Sequence, residues 1–298
     1  MQKVNGSCQN KLASLLSSLA EREGQTETGI PGVSLYRKSA PEESQPVVYD
    51  PCIVIVGQGQ KRGYLGDRQF TYDANQYLVI SVPMPFMCEV KQASFDQPFL
   101  ALALSVDVSL IGELLMTMSQ DQVPVVLDSM PDAVGAEPLS DAILTPAVQL
   151  LKSLESPLDA SVLGPQYVRE ITYRILLGPL GPALKATVLQ NSRFHHIAKV
   201  MKYLHGHYGE NCSIENLARM ANMSQSSLHH HFKAVTTASP VQYLKSIRLH
   251  KARALLLQGE HNASSAADHV GYSSNSQFSR EYKRFFGVAP SADIERIR

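Results

Sequence analysis

The feature that most constrains this chain is a short unit that occurs twice near its C-terminus. Laying "LARMANMSQSSLHHHFKAVTTASP" (217–240) over "AADHVGYSSNSQFSREYKRFFGVAP" (266–290) pairs Ala218 with Ala267. After one extra residue in the turn, Ser224, Leu228, Phe232, Lys233 and Pro240 pair with Ser274, Phe278, Tyr282, Lys283 and Pro290. Each copy reads as a short helix with a small residue inside, a tight turn, and a second helix opened by serine. Asn222 and Gly271 suit the left-handed backbone of such a turn, and Ser224 and Ser274 are good N-caps. That is helix-turn-helix patterning.

Residues four apart share a helix face, so Leu228/Phe232 and Phe278/Tyr282 turn to the core. Gln225, Ser226, His229 and His230 then fall on the open face of the first copy, and Asn275, Ser276, Ser279 and Arg280 on that of the second. These side chains can hydrogen-bond base edges or phosphates near a helix N-terminus. Lys283 joins them as a phosphate contact. The intervening "PVQYLKSIRLHKARALLL" makes a helix of roughly 27 Å, a strut suited to holding two reading helices in successive major grooves.

Charge agrees. Residues 190–298 carry 14 Lys+Arg against 7 Asp+Glu, and all ten histidines, whereas the rest of the chain is acidic and histidine-free. A basic segment of this kind suits a polyanion such as double-stranded DNA.

The N-terminal half has another texture. Residues 7–24 show helical spacing of Leu12, Leu15, Leu16 and Leu19. From Gly32 to Leu104, short apolar runs alternate with turn residues, which predicts an antiparallel barrel or sandwich. "GQGQKRG" (57–63) is expected to be a hairpin turn rather than a phosphate loop, because no helix follows it. Helices are expected over "DVSLIGELLMTM", 140–155 and 165–177, their apolar stripes serving as core or as homodimer contacts. The break "GPLGPAL" (178–184) is a candidate domain boundary. Six further helices are expected from 192 onward.

"YLKSIRLHKARALLL" followed by "AADHVGYSSNSQFSREYKRFFGVAPS" resembles the C-terminal signature of the AraC/XylS family of bacterial transcription regulators, over about residues 195–293. "IPGVSLYR", "VVYDPCIVIVGQGQKRGYLGD" and "YLVISVPMPF" resemble the leading domain of one branch of that family. The resemblance implies an α+β chain: a cupin-like effector-binding or dimerisation barrel with flanking helices over 1–185, then an all-α double helix-turn-helix domain over 190–298. It implies DNA contact from the same eight open-face residues, a small-molecule effector, and RNA polymerase as a partner of an activator. His230 stands where relatives often carry arginine. The alternative reading is a constitutive DNA-binding regulator without an effector.

Other chemistries find little support. His229–His231 point about 100° apart on a helix and do not converge on one ion; His231 is expected at the core edge. His205 and His207 are expected as helix-end or surface groups. Cys8, Cys52, Cys88 and Cys212 show no metal-ligand spacing and read as reduced thiols. Residues 1–189 contain no histidine for a cupin-type metal site, and neither a GxSxG elbow nor a Walker loop occurs. The expectations are therefore no enzyme, no cofactor, no metal, no membrane span and a cytoplasmic setting.

Overall fold

The structure, a computed structural model, describes residues 6–118, 130–189, 192–259 and 261–297. Its main division falls between His195 and His196, giving two compact units.

The first unit opens with α1 (Gly6–Leu19) and continues through nine strands: β1 (Gly24–Glu27), β2 (Val33–Lys38), β3 (Glu42–Tyr49), β4 (Cys52–Gln58), β5 (Gln60–Leu65), β6 (Arg68–Asp73), β7 (Gln76–Ile80), β8 (Met84–Gln92) and β9 (Phe99–Ser105). After α2 (Val108–Thr117), a tenth strand, β10 (Val134–Pro138), precedes α3 (Asp141–Ser153), α4 (Pro157–Val162), α5 (Gly164–Leu177) and α6 (Gly181–Val188). The strands build a cupin-like barrel from two sheets, ordered β1-β2-β9-β4-β7-β10 and β3-β8-β5-β6.

Strand alternation explains how the larger sheet is covered. The run Leu100-Ala101-Leu102-Ala103-Leu104 sends its leucines to one face, where Val33, Leu35, Ile53, Ile55 and Val79 join them in one apolar core with α1, α3 and α5. The alanines turn to the opposite face, in register with Ser34, Tyr36, Val54 and Val56. The stripes of α3 and α5 are spent in this core: Ile143, Leu144, Ala147, Leu151, Ile171 and Ile175 are all buried.

The segment 57–63 corrects one expectation. Gly59 adopts φ +79°, but β4 and β5 on either side of it lie in different sheets, so it is a corner between sheets and not a hairpin turn. A Cβ there would meet Gln92 O at 2.5 Å, which is why glycine is needed. The hairpin comes next, at Gly66–Asp67, where Leu65 pairs with Arg68 and Gly66 takes φ +59°.

The second unit comprises α7 (Arg193–Gly206), α8 (Ile214–Met220), α9 (Gln225–Thr236), α10 (Pro240–Gln258), α11 (Ala263–His269), α12 (Asn275–Phe286) and α13 (Pro290–Ile297). The first six are the expected helices; α13 is additional.

Candidate nucleic-acid interface

Both turns and both caps match the repeat. Asn222 and Gly271 have φ of 52° and 83°. The Ser224 hydroxyl accepts from Ser227 N at 3.2 Å at the head of α9, and Ser274 does the same for Gln277 N at 3.3 Å at the head of α12. Each bond satisfies an N–H that the helix itself cannot.

Leu228, Phe232, Phe278 and Tyr282 are fully buried, which fixes the rotation of each helix about its axis. All nine sequence-selected residues are consequently exposed: Gln225, Ser226, His229 and His230 on α9, and Asn275, Ser276, Ser279, Arg280 and Lys283 on α12. Each set shares one face of its helix, and helical N–H groups with a favourable dipole end stand beside the first residues of each. Asn275 is not wholly free, since its amide donates to Ser264 Oγ at 2.7 Å. Ser264, on α11, is a neighbour that sequence reading passed over, and the N-capped start of α11 at Asn262 was the signal that placed it.

The residues that hold α12 in place were also missed. Glu281 accepts from Lys245 Nζ at 2.7 Å, Tyr272 OH at 2.8 Å and Gln277 Nε2 at 3.1 Å, tying α12 to α10 and to the turn. Burial acts to raise the Glu281 carboxyl, yet those three donors outweigh it and hold it below its ordinary value. On the far side Asp293, 3% exposed, takes a two-point contact from Arg253 at 2.7 and 3.1 Å and the Tyr282 hydroxyl at 2.6 Å. So α13 locks α12 against α10. In the first copy Tyr243 occupies the matching place, its ring 5.3 Å from Phe232 and its hydroxyl 2.7 Å from His205 Nε2.

The histidines separate by position. His229 and His230 are exposed while His231 is half-buried, its ring in edge contact with that of His230 at 5.1 Å. His207 is exposed and paired with Glu210 at 2.9 Å. His205 lies in the last turn of α7, as expected of a helix-end group, and is half-buried with its ring bonded to the Tyr243 hydroxyl of α10. Among the cysteines, burial pushes Cys52 up to about 12 and raises Cys88 as well, which disfavours the thiolate a redox or electrophile sensor needs. No described helix is long and apolar enough to cross a membrane.

Comparison with known proteins identifies both parts of the chain. Residues 29–183 match the family of AraC-type transcriptional regulator N-termini, and residues 217–296 match a helix-turn-helix domain. The HTH-type transcriptional activator RhaS of Escherichia coli O157:H7 is 28% identical over 160 residues, 54% of this chain and 57% of that protein. The raffinose operon transcriptional regulatory protein RafR of Pediococcus pentosaceus is 34% identical over 91 residues, 30% of this chain and 33% of its own length. The chain thus spans less than two thirds of the curated relatives it matches. Among solved structures, a lysine-to-alanine variant of apo ToxT from Vibrio cholerae covers 93% of this chain and all of its own at a TM-score of 0.59 and 12% identity. Wild-type ToxT with a bound unsaturated fatty acid covers 88% and 94% at 0.52 and 13%. These two structures share the fold. With more than half its length matched by the first of the two families and a helix-turn-helix domain behind it, the chain belongs to the AraC-type transcriptional regulators.

Proposed function

We propose that this chain is a sequence-specific DNA-binding transcription regulator whose α9 and α12 enter neighbouring major grooves, and whose first unit binds a small-molecule effector. One observation carries the DNA reading: two serine-capped helices, related by an internal repeat, each bury an apolar pair and turn their short polar side chains outward. Gln225 and Asn275 suit adenine edges, Arg280 suits guanine, and Ser226, Ser276, Ser279, His229 and His230 suit bases or phosphate. Lys283, further along α12, suits phosphate. RNA polymerase and a second copy of the chain belong to this reading as partners through the family.

The effector half of the reading draws support from the fold shared with ToxT, one structure of which carries a bound unsaturated fatty acid. An effector acts only by binding one arrangement of the regulator better than another. Selection of bound fragments from random duplexes, followed by footprinting with and without metabolite pools, tests both halves. A shared motif with two protected major-groove segments one helical turn apart is expected. Protein that selects no motif at low salt would refute the DNA reading, and a footprint indifferent to every pool would favour a constitutive regulator.

A further inference from the structure

The two reading helices carry unequal fixed charge. Continued along α9 and α12, the pairing of the two copies sets His229 against Ser279, His230 against Arg280, Lys233 against Lys283 and Ala234 against Arg284. All eight residues are exposed. On these faces α12 presents three permanent cations, Arg280, Lys283 and Arg284, whereas α9 presents one, Lys233. The deficit of two is matched by two exposed histidines, and His230 stands in the place of Arg280. Histidine is the side chain whose charge changes between pH 5 and pH 8. Protonation therefore takes α9 from one cation to three, while α12 keeps its three throughout.

The surroundings leave this change to water and to whatever binds. Among the described residues no carboxylate lies within 4.0 Å of either ring. On α9 itself Lys233 lies one turn further on, and the His231 ring touches that of His230. Of the helices packed against α9, α8 carries Glu215 and Arg219, which are exposed and joined to each other at 3.4 Å. The other, α10, carries Lys245, joined to Glu281 at 2.7 Å; further along, Arg248 donates to the carbonyls of Tyr208 and Glu210, and Arg253 to Asp293.

We propose that His229 and His230 meet the duplex as imidazolium ions on its phosphates, so that the first reading helix takes up protons on binding and tightens with acidity while the second does not. This assigns the two histidines to phosphate rather than to base edges, and it rests on the DNA reading above.

Binding that takes up protons strengthens as pH falls. A phosphate that favours the charged ring over the neutral one about tenfold makes binding about sixfold tighter at pH 6 than at pH 8 for one histidine, and about 40-fold for two. The added charge also releases counterions, steepening the salt slope at pH 6 by about one to two. The test uses the full chain on a duplex carrying the selected motif, with affinity measured at pH 6, 7 and 8 and at several salt concentrations. Between pH 8 and pH 6 wild type should gain about 40-fold more than His229→Gln/His230→Gln, the remaining titrating groups being common to both. His229→Lys/His230→Arg should bind tightly at both ends of the range, with the extra pH dependence gone. Equal pH slopes in wild type and the glutamine variant, a loss of affinity in that variant that is the same at every pH, or a salt slope indifferent to pH would overturn the proposal and leave the DNA reading standing. A wild type that binds no duplex at any pH would remove both.

Discussion

His250 gives the sharpest quantitative test of the second unit. It sits on α10, is 8% exposed, and meets the rings of Phe285 and Phe286 edge-on at 5.4 and 5.9 Å. Burial, aided by the fields of Arg253 and His205, lowers its pKa from the ordinary 6.5 to about 3. The folded unit therefore keeps the ring neutral where the unfolded chain protonates it. Stability is full above pH 6.5 and declines as pH falls from there toward 3, because the unfolded state binds the extra proton throughout that window. Between pH 7 and pH 5 the loss is about 2 kcal/mol by linkage. That figure is set almost wholly by the unfolded pKa, so a folded value a unit higher would leave it unchanged. Urea unfolding read by helical circular dichroism suits a chain without tryptophan. His250→Leu should flatten the wild-type pH profile by the same ~2 kcal/mol, with other titrating groups cancelling in the comparison. Parallel profiles for wild type and variant would refute the assignment of a neutral buried ring.

Three other outcomes follow from named contacts. Arg280→Ala and Asn275→Ala should each weaken the selected motif by about 1–3 kcal/mol, whereas Lys283→Ala should weaken all duplexes alike and reduce the salt slope by about one; competition binding at several salt concentrations separates the two patterns. Asp293→Ala strips the Arg253 guanidinium of its carboxylate and the Tyr282 hydroxyl of its acceptor, and should cost about 3–5 kcal/mol in the same unfolding assay. The two turns should answer unequally to exchange: Asn222→Gly should change stability by less than about 1 kcal/mol, while Gly271→Asn should be severely destabilising, because a Cβ there would collide with the backbone carbonyl oxygen of Gly209.

Much of the second unit was legible because its repeat couples turn chemistry to periodicity. Asn222, Gly271 and the two capping serines each admit few conformations, and the paired apolar residues four apart fix which face is open. The same repeat held an unused signal: Pro240 pairs with Pro290, and Pro240 opens a helix, so Pro290 announces α13. Its locking residue was harder to foresee, because Asp293 stands where the first copy has Tyr243, and an acid can replace a ring only when Arg253 lies across from it. In the first unit the run Leu-Ala-Leu-Ala-Leu declared a strand with unlike faces. The segment around Gly59 was misjudged because a left-handed glycine serves a tight hairpin and a sheet-to-sheet corner equally well. Only the long-range registers of β4 with β9 and of β5 with β8 distinguish the two.

The 19-residue α10 is buried on several sides at once. Near its start Tyr243 meets Phe232 of α9, and from Leu249 onward it shares an apolar cluster with Phe278 and Tyr282 of α12. Neither prong can swivel without tearing residues of this shared spine from their packing. The regulator would then behave as a caliper of fixed opening, tolerant of an altered base pair under one tip and intolerant of a half-turn of duplex inserted between them.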